Sequence, residues 1–319
     1  MSAKIDLNFY PGWVRKAITF TIDDGNVPLD RKFLSIVKPA GLRGTFNPCG
    51  REPNRYDDYP ALYDGYEISN HVKHHPFAMT DKIRAVLKDE LFNPETADDA
   101  LAYPTGNKGE YYTPKHGKYR DVVVDDEVYL EYTRQAQKEL EEVFGKDRVK
   151  GFVWPYGRQD NAELHQLLIK EGFSSIRATG CTQDKTGFAI PEDKFSWSYN
   201  ADCWCLGEAA EKYEKYPDDG QLKFFCFGVH SHDFENAQKW EVLIDFCEKY
   251  GCRPETYWYA GVNEIFEYEA AVKAVRIDDE CGRVINDSDK DLFITVNGNR
   301  AELRAHSGIC TACVGAQRI

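Results

Sequence analysis

Residues 17–25 read Ala-Ile-Thr-Phe-Thr-Ile-Asp-Asp-Gly. The apolar run that ends at Ile22 predicts a buried strand, and the Asp-Gly pair after it is typical of a turn. Asp23 and Asp24 therefore stand at the carboxyl end of the predicted strand, where α/β barrels carry their active sites. The two carboxylates predict either one metal ligand beside one general base, or a plain turn with no catalytic role.

Strand-like and helix-like segments alternate along the rest of the chain. Apolar runs predict strands at 44–46, 66–69, 151–153, 175–177, 222–229 and 256–260. Apolar residues at helical spacing predict helices at 29–38, 80–91, 134–144, 161–171 and 236–250. Strands that alternate with helices predict a parallel sheet, either open or closed into a barrel.

Two stretches interrupt this alternation. Residues 95–130 contain many Pro, Gly, Asp and Tyr residues without periodicity, which predicts an insertion into the main unit of residues 1–265. Residues 266–307 predict the end of a helix followed by short strands, with Asn297-Gly298 as a hairpin turn. We therefore expect a barrel domain, a small C-terminal β appendage behind a helix, and a tail at 308–319.

Composition excludes several classes of function. The 319 residues carry 53 Asp and Glu against 40 Lys and Arg, a net charge of −13, which disfavours nucleic acid and anionic membranes as partners. No apolar run reaches the ~20 residues of a membrane span, and the first residues lack a signal-peptide core, so we expect a cytoplasmic protein. The ten cysteines are scattered as in reduced proteins. The lone C-x-x-C pair, Cys310 and Cys313, predicts no metal site by itself.

Three histidines crowd into residues 71–75, directly after the strand predicted at 66–69. His71 and His75 are four residues apart and would share one face of a helical turn, as would His71 and His74 at three residues apart. Either pair can grip a metal ion about 2.0–2.1 Å away. With an aspartate nearby, the pattern predicts a site of two His and one Asp, which suits zinc and also cobalt or nickel.

Two further predicted strands end in residues that can do chemistry. Residues 152–157, Phe-Val-Trp-Pro-Tyr-Gly, predict a tight turn that is either a rigid connection or a place where the main-chain N–H of Tyr156 meets an oxyanion. The strand at 222–229 runs into His230-Ser-His232-Asp, where a histidine is either a general acid or the cap of a loop. Because His230 and His232 alternate, we expect only one of them to face the site.

These four segments resemble, in order and spacing, the polysaccharide deacetylase family, also called the NodB-homology fold or carbohydrate esterase family four. The ordered motifs of that family are T-F-D-D-G, H-S/T-x-x-H, R-x-P-Y and a late strand that ends in His. The similarity covers about residues 10–265. It implies an α/β fold, a distorted (β/α)7-type barrel of parallel strands that is NodB-like and carries the small C-terminal β appendage.

The resemblance also implies roles for the candidate residues. Asp23 would be the catalytic base and His230 the general acid on the leaving amine or alcohol. The main-chain N–H of Tyr156 would be directed at the oxyanion. The implied metal ligands are Asp24, His71 and His75.

The chain departs from the family pattern at Val153, which stands where R-x-P-Y has its arginine. A branch of the family instead carries an arginine after the next helix, and Arg177 fits that place. Neighbouring parallel strands lie about 4.8 Å apart, so we expect Arg177 to reach Asp23 and to hold its carboxylate in two hydrogen bonds. Arg158 is the competing donor, and the alternative for Arg177 is an ion pair with a surface acid at the barrel rim.

The sequence leaves three functions open. The first is a metal-dependent hydrolase that removes an acyl group from an N- or O-acetylated carbohydrate, with acetyl as the favoured acyl group. The second is a related metal-dependent amidase that acts on a small non-sugar amide or imide and shares the same motifs. The third is a carbohydrate-binding protein without turnover, which the missing arginine at 153 favours and the complete set of Asp and His residues opposes.

Overall fold

The computed structural model describes residues 3–50, 59–80, 103–104, 110–112, 122–157, 161–178, 180–182 and 187–314. Almost all of the helix predicted at 80–91 lies outside the described residues, and so does the competing donor Arg158. The ranges that carry the other candidate residues are all described.

Strands and helices alternate through most of the described chain. The strands are β1 (Ile5–Phe9), β2 (Lys16–Asp24), β3 (Thr45–Pro48), β4 (Glu67–Asn70), β5 (Phe77–Ala78), β6 (Tyr103–Pro104), β7 (Glu110–Tyr112), β8 (Val122–Val124), β9 (Val149–Val153), β10 (Ser175–Arg177), β11 (Lys223–Val229), β12 (Tyr257–Tyr259), β13 (Arg276–Asp278), β14 (Arg283–Asn286), β15 (Leu292–Val296), β16 (Asn299–Leu303) and β17 (Ser307–Cys310). The helices are α1 (Val27–Val37), α2 (Tyr59–Leu62), α3 (Asp126–Phe144), α4 (Ala162–Lys170), α5 (Leu206–Lys215), α6 (Ser231–Asn236), α7 (Trp240–Tyr250) and α8 (Val262–Lys273).

Seven parallel strands form the central sheet. Their order is β10-β9-β4-β3-β2-β11, and β12 pairs with the amino-terminal end of β2. Residues 17–23 of β2 are all buried, which explains the apolar run, because parallel strands are covered on both faces. β2 therefore organises the sheet, since it pairs with β3, β11 and β12.

An irregular segment closes this sheet into a barrel. Trp197 forms an isolated parallel bridge with Arg177 of β10, and Ala201 forms another with Phe227 of β11. The barrel is distorted at this place, because single bridges stand where a continuous strand would complete the ring. The α/β class and the distorted barrel of parallel strands are confirmed.

The helices begin and end at residues whose chemistry suits those positions. The carboxylate of Asp125 accepts the main-chain N–H of Val128 at 3.0 Å and so caps the start of α3. Gly145, with a φ of 90°, ends the same helix. Helix α5 was not predicted, and α7 begins at Trp240 and not at residue 236 as predicted.

Two small antiparallel sheets form the β appendage. One has the order β1-β15-β16 and the other β13-β14-β17. Residues of β1 were predicted to belong to the barrel domain and residues 308–310 to the tail, but these strands pair with appendage strands that lie far away in sequence. The predicted hairpin turn is present at Asn297 and Gly298, whose φ angles of 52° and 79° are both positive.

The insertion expected at 95–130 contains three described strands. β6, β7 and β8 join β5 in a four-stranded sheet of order β5-β8-β7-β6. Within this sheet β8 pairs with β5 in parallel and with β7 in antiparallel orientation. The insertion is therefore tied to the chain that follows the histidine cluster.

Two chemical properties of the chain bear on its environment. No disulfide joins any of the ten cysteines, and five of them are at least partly buried in or against the barrel core: Cys181, Cys203, Cys205, Cys226 and Cys247. Across the described ranges, no helix combines the length and the apolar character that crossing a membrane requires.

The close approach of Gly44 to β2 generates a test of the packing. A Cβ atom at residue 44 would lie 2.5 Å from the carbonyl oxygen and the ring of Phe20, so we expect Gly44→Ala to lower the free energy of unfolding by about 1–3 kcal/mol. Gly207 in α5 is the matched control, because a Cβ there meets nothing within 4 Å and Ala favours helix by about 0.5 kcal/mol. Urea unfolding measures both. Equal stability of the two variants would contradict the packing around β2.

Candidate active site

The carboxyl ends of the barrel strands bring the candidate residues to one rim. Asp23 and Asp24 end β2, the histidine cluster follows β4, Arg177 ends β10 and His230 follows β11. Because all of these strands are parallel, their carboxyl ends lie on the same side of the barrel. The structure therefore brings together residues that are up to about 200 positions apart in sequence.

Asp24 faces two of the three clustered histidines. Its Oδ1 lies 3.5 Å from Nε2 of His71 and 3.5 Å from Nε2 of His75. Asp24 has a φ of 72°, a left-handed conformation that residues with a side chain rarely adopt outside functional sites and tight turns. The backbone conformation at the strand end thus directs this carboxylate towards the histidines.

The histidine cluster converges through left-handed residues and not through the single helical turn that its spacing suggested. Val72, His74 and His75 have φ angles of 58°, 64° and 48°. This conformation turns His71 and His75 towards Asp24. His74 is exposed, and its ring packs edge-on against Tyr132 at 5.1 Å between centroids, away from Asp24.

A hydrogen bond orients the imidazole of His71. Its Nδ1 lies 2.9 Å from the main-chain oxygen of Val153, which accepts the Nδ1 proton and leaves the lone pair of Nε2 directed at Asp24. Metal-binding histidines are held in this way by a carbonyl or carboxylate behind the ring. Val153 thus contributes its backbone to the site, although its side chain cannot replace an arginine.

Among the residues that the structure describes, three buried polar atoms at this place lack a hydrogen-bond partner. They are Asp24 Oδ1, His71 Nε2 and His75 Nε2. Two atoms that bind one zinc ion at 2.0–2.1 Å lie about 3.3–3.4 Å apart in a tetrahedral shell, close to the 3.5 Å from Asp24 Oδ1 to each imidazole nitrogen. The residues fit a divalent cation, which would satisfy all three atoms at once.

Asp23 makes a buried ion pair with Arg177, as the sequence analysis expected. Nη2 of Arg177 lies 2.5 Å from both carboxylate oxygens, and Nδ2 of Asn47 donates to Oδ1 at 2.8 Å. Arg177 of β10 lies directly beside Val153 of β9, so it stands next to the position where the family motif has its arginine. Burial alone would raise the pKa of Asp23, but the charges of Arg177 and His230 help to outweigh it and hold that pKa below its usual value.

Both His230 and His232 lie at the site, which contradicts the expectation that only one would. Nε2 of His230 is 3.7 Å and Nδ1 of His232 is 3.9 Å from Oδ2 of Asp24, and the two rings stack with centroids 4.4 Å apart. The alternation of a strand does not apply here, because His230 caps α6 and His232 already belongs to that helix.

Asp233 holds His230 in place. Its Oδ2 lies 2.8 Å from Nδ1 of His230. Burial lowers the pKa of His230, but the hydrogen bond to Asp233 and the charges of Asp23 and Asp24 together raise it to about 9. His230 is therefore protonated at neutral pH. In contrast, burial and the neighbouring His71 lower the pKa of His75 to about 4, so this imidazole is neutral and its lone pair is available.

Tyr156 lies at the open side of the site. Its φ is 56°, its side chain is 40% exposed, and its ring stacks on Phe77 and meets the ring of His75 edge-on at 4.5 Å. The residue therefore borders the space in front of the histidines. The role of its main-chain N–H stays a prediction.

Two residues at this rim were not singled out as site residues by the sequence analysis. His230 was chosen over His232, and Cys49 was considered only as one of ten scattered cysteines. Cys49 follows β3 directly, and its Sγ lies within 4.8 Å of the ligand atoms of Asp24, His71 and His75. The signal that could have revealed it is its position after a predicted strand, the same position that Asp23 and His71 occupy.

Comparison with known proteins identifies one family. The sequence profile of the family described as polysaccharide deacetylase matches residues 14–174. No curated protein sequence matches the chain.

Similar solved structures include three bacterial enzymes. A polysaccharide deacetylase from Bacillus cereus is 15% identical, with 77% of this chain and 92% of that chain covered and a TM-score of 0.41. A family 4 carbohydrate esterase from Streptomyces lividans is 14% identical, with 74% and 88% covered and a TM-score of 0.40. A family 4 carbohydrate esterase from Bacillus anthracis is 15% identical, with 79% and 83% covered and a TM-score of 0.42.

The ion pair between Arg177 and Asp23 predicts a large effect on stability. Arg177→Met leaves the Asp23 carboxylate buried without its cation, and breaking a buried pair in this way lowers the free energy of unfolding by about 3–5 kcal/mol. The double variant Arg177→Met with Asp23→Asn removes the unpaired charge, so we expect it to be more stable than the single variant. Urea unfolding at neutral pH measures both, and a double variant that is less stable than Arg177→Met would show that the two residues are not coupled.

Proposed function

This chain belongs to the polysaccharide deacetylase family, and on that premise we propose that it is a metal-dependent hydrolase that removes acetyl groups from an N- or O-acetylated carbohydrate. The observation that supports this proposal most strongly is that Asp24, His71 and His75 converge on one point. This point lies beside the ion pair of Asp23 and Arg177. Zinc is the proposed ion, because one carboxylate and two imidazoles suit it, with cobalt and nickel as alternatives.

The ion would supply Lewis-acid chemistry, polarising the acyl carbonyl and lowering the pKa of a water molecule. Asp24, His71 and His75 would hold it, and their three unpartnered atoms support this role. Asp24 contributes the negative charge of the set. His71 keeps its orientation through the carbonyl of Val153.

Asp23 accepts the proton of the attacking water in this proposal. A carboxylate has about four acceptor positions, and among the described residues Oδ1 accepts from Arg177 and Asn47 while Oδ2 accepts from Arg177. Oδ2 thus retains capacity for a water proton. Arg177 is a positioning residue: it orients the carboxylate and keeps it ionised, which a general base requires.

His230 donates a proton to the leaving nitrogen or oxygen. Its Nδ1 is engaged by Asp233, so Nε2, which lies 3.7 Å from Asp24, is the atom that faces the reaction space. Its raised pKa supplies the protonated form at neutral pH. The main-chain N–H of Tyr156 would stabilise the oxyanion from the opposite side, and the exposed ring of Tyr156 offers an apolar face to a sugar.

The test of the proposal is acetate release. Purified protein is stripped of metal, reloaded with zinc and assayed against a panel of N-acetylated and O-acetylated oligosaccharides and of small cyclic amides and imides. We expect zinc-dependent release of acetate from at least one acetylated carbohydrate. Opening of cyclic amides alone would support the amidase, and saturable sugar binding without acetate release would support a binding protein. Because none of the ten cysteines forms a disulfide, we propose a reducing compartment, and the assay buffer should be reducing.

The histidine cluster offers a matched pair of variants for the metal. His75→Ala should remove the bound zinc during dialysis, because it deletes one of three converging ligands. His74→Ala should retain zinc at the wild-type content, since its ring packs on Tyr132. Metal analysis by mass spectrometry gives the result. Zinc lost from the His74 variant and kept by the His75 variant would reverse the assignment.

The two proton-transfer residues should affect rate without affecting metal content. Asp23→Asn and His230→Ala are each expected to lower kcat by about 10²–10⁴-fold with zinc retained, the usual contribution of a positioned acid or base. His232→Ala tests the neighbour, whose ring also lies near Asp24. If His232→Ala lowers kcat more than His230→Ala does, the general acid is His232.

The pH dependence of kcat/KM follows from the pKa of His230. The protonated imidazole is the active form, and the hydrogen bond to Asp233 raises its pKa, so the alkaline limb of the profile should lie above the usual imidazole pKa of about 6.5. Asp233→Asn removes the hydrogen-bonded anion and should move the alkaline limb down by about 1–3 pH units. An alkaline limb that does not move would mean that Asp233 does not set the protonation of the acid.

A further inference from the structure

We propose that Cys49 is an additional ligand of the same metal ion, so that the centre contains a thiolate beside Asp24, His71 and His75. The inference rests on the proposed metal-dependent function and concerns the composition of its metal centre. Its consequence is a metal preference that the Asp and His residues alone would not produce.

The sheet order places Cys49 between the other ligands. β3 lies between β2, which carries Asp24, and β4, which precedes His71. Pro48 at the end of β3 pairs with Asp24, and the carbonyl of Pro48 accepts the main-chain N–H of His71 at 3.3 Å. Cys49 is the next residue, so it lies at the rim between the strand end that carries Asp24 and the strand end that precedes His71.

The turn after Cys49 is fixed by close packing. Gly50 has a φ of 72°, and a Cβ atom there would lie 3.0 Å from the Cβ of Ala136 in α3. A residue with a side chain is therefore disfavoured at position 50 by both conformation and space. The backbone on both sides of Cys49 is thereby held, by β3 on one side and by the Gly50 turn on the other.

The ligand atoms lie at distances that a single ion can bridge. Cys49 Sγ, Asp24 Oδ1 or Oδ2, and one nitrogen each of His71 and His75 all lie within 4.8 Å of one another. Ligand atoms of one tetrahedral zinc ion are about 3.3–3.6 Å apart, so shifts of about 1 Å bring the set together. The unpartnered Nε2 of His71, a residue only 1% exposed, independently indicates that a ligand belongs in this space.

Coordination by Cys49 changes the charge and softness of the centre. The thiol gives its proton to solvent as the sulfur–metal bond forms, so Asp24 and Cys49 together supply two negative charges to a divalent ion. A thiolate favours zinc and cadmium over magnesium and manganese. Four protein ligands leave the reactive water to a fifth position, which zinc sites can accommodate.

A second group with thiols provides the matched control. Cys181, Asp202 and Cys205 also have ligand atoms within 4.8 Å of one another, and the two sulfur atoms are 3.6 Å apart. The Oδ1 of Asp202 already accepts main-chain N–H groups of Trp204 and Cys205. A thiolate–metal signal must therefore be assigned to Cys49 by comparison with a Cys205 variant.

The experiment is absorption spectroscopy of the cobalt-substituted full chain under anaerobic, reducing conditions. Wild-type protein should show visible d–d bands and a near-ultraviolet thiolate-to-cobalt charge-transfer band. Cys49→Ser should keep the visible bands and lose the charge-transfer band, and Cys205→Ser should keep both. Cadmium affinity of Cys49→Ser should fall by about 100-fold or more, since even outer partners of a ligand are worth about 10–100-fold.

The possible outcomes separate this inference from the proposed function. Two outcomes would show that Cys49 is not a ligand and would still support a metal centre. In the first, wild-type protein shows the visible cobalt bands without the charge-transfer band. In the second, the charge-transfer band persists in Cys49→Ser. A band lost only in Cys205→Ser would assign the thiolate to the other group and would also overturn ligation by Cys49. No cobalt bands at all would refute both proposals. X-ray absorption of the zinc-loaded wild type, which needs no variant, should show one sulfur neighbour at about 2.3 Å.

Discussion

The guanidinium of Arg177 and the carboxylate of Asp23 meet inside the barrel with 1% and 4% of their side chains exposed. Two charges removed from water are tolerated only where geometry and hydrogen bonds compensate for the lost hydration. Here one guanidinium nitrogen reaches both carboxylate oxygens, and Asn47 adds a further hydrogen bond. Three strands separate β10 from β2 in the sheet order, so only the curvature of the barrel can bring this pair together.

Because Asp23 is held in this ion pair, the adjacent carboxylates of Asp23 and Asp24 have different roles. Successive residues of an extended strand point to opposite faces, and the left-handed backbone at Asp24 breaks that alternation. Asp23 is therefore held by Arg177 in the interior while Asp24 turns to the histidines at the rim. Two functions are also separated at Val153 of β9. Its carbonyl orients His71, whereas the positive charge that its side chain lacks comes from Arg177 on the neighbouring strand β10.

Local patterns in the sequence were sufficient to predict the barrel strands and the hairpin at Asn297-Gly298, which depend on apolar runs and a turn pair. The contact between Arg177 and Asp23 was expected from the family resemblance, because Arg177 stands where a branch of that family carries its arginine. Pairings between distant segments were missed, such as β1 with β15 and the closure at Trp197 and Ala201, because no local pattern specifies a partner. His232 and Cys49 were missed because the backbone leaves strand geometry at the rim, where alternation no longer tells which side chain faces the site.

The most direct test of whether Arg177 keeps the base ionised is the acid limb of the pH profile of kcat/KM. This profile is measured for zinc-saturated wild type and for Arg177→Met, and the zinc content is followed in parallel. Asp23 must be ionised to act, so activity is lost as the pH falls through its pKa. In wild type that pKa is held below the usual value of about 3.9, and without Arg177 burial should raise it. The account predicts that the limb of the variant moves to higher pH while zinc is retained. A variant with reduced turnover and an unmoved acid limb would contradict it.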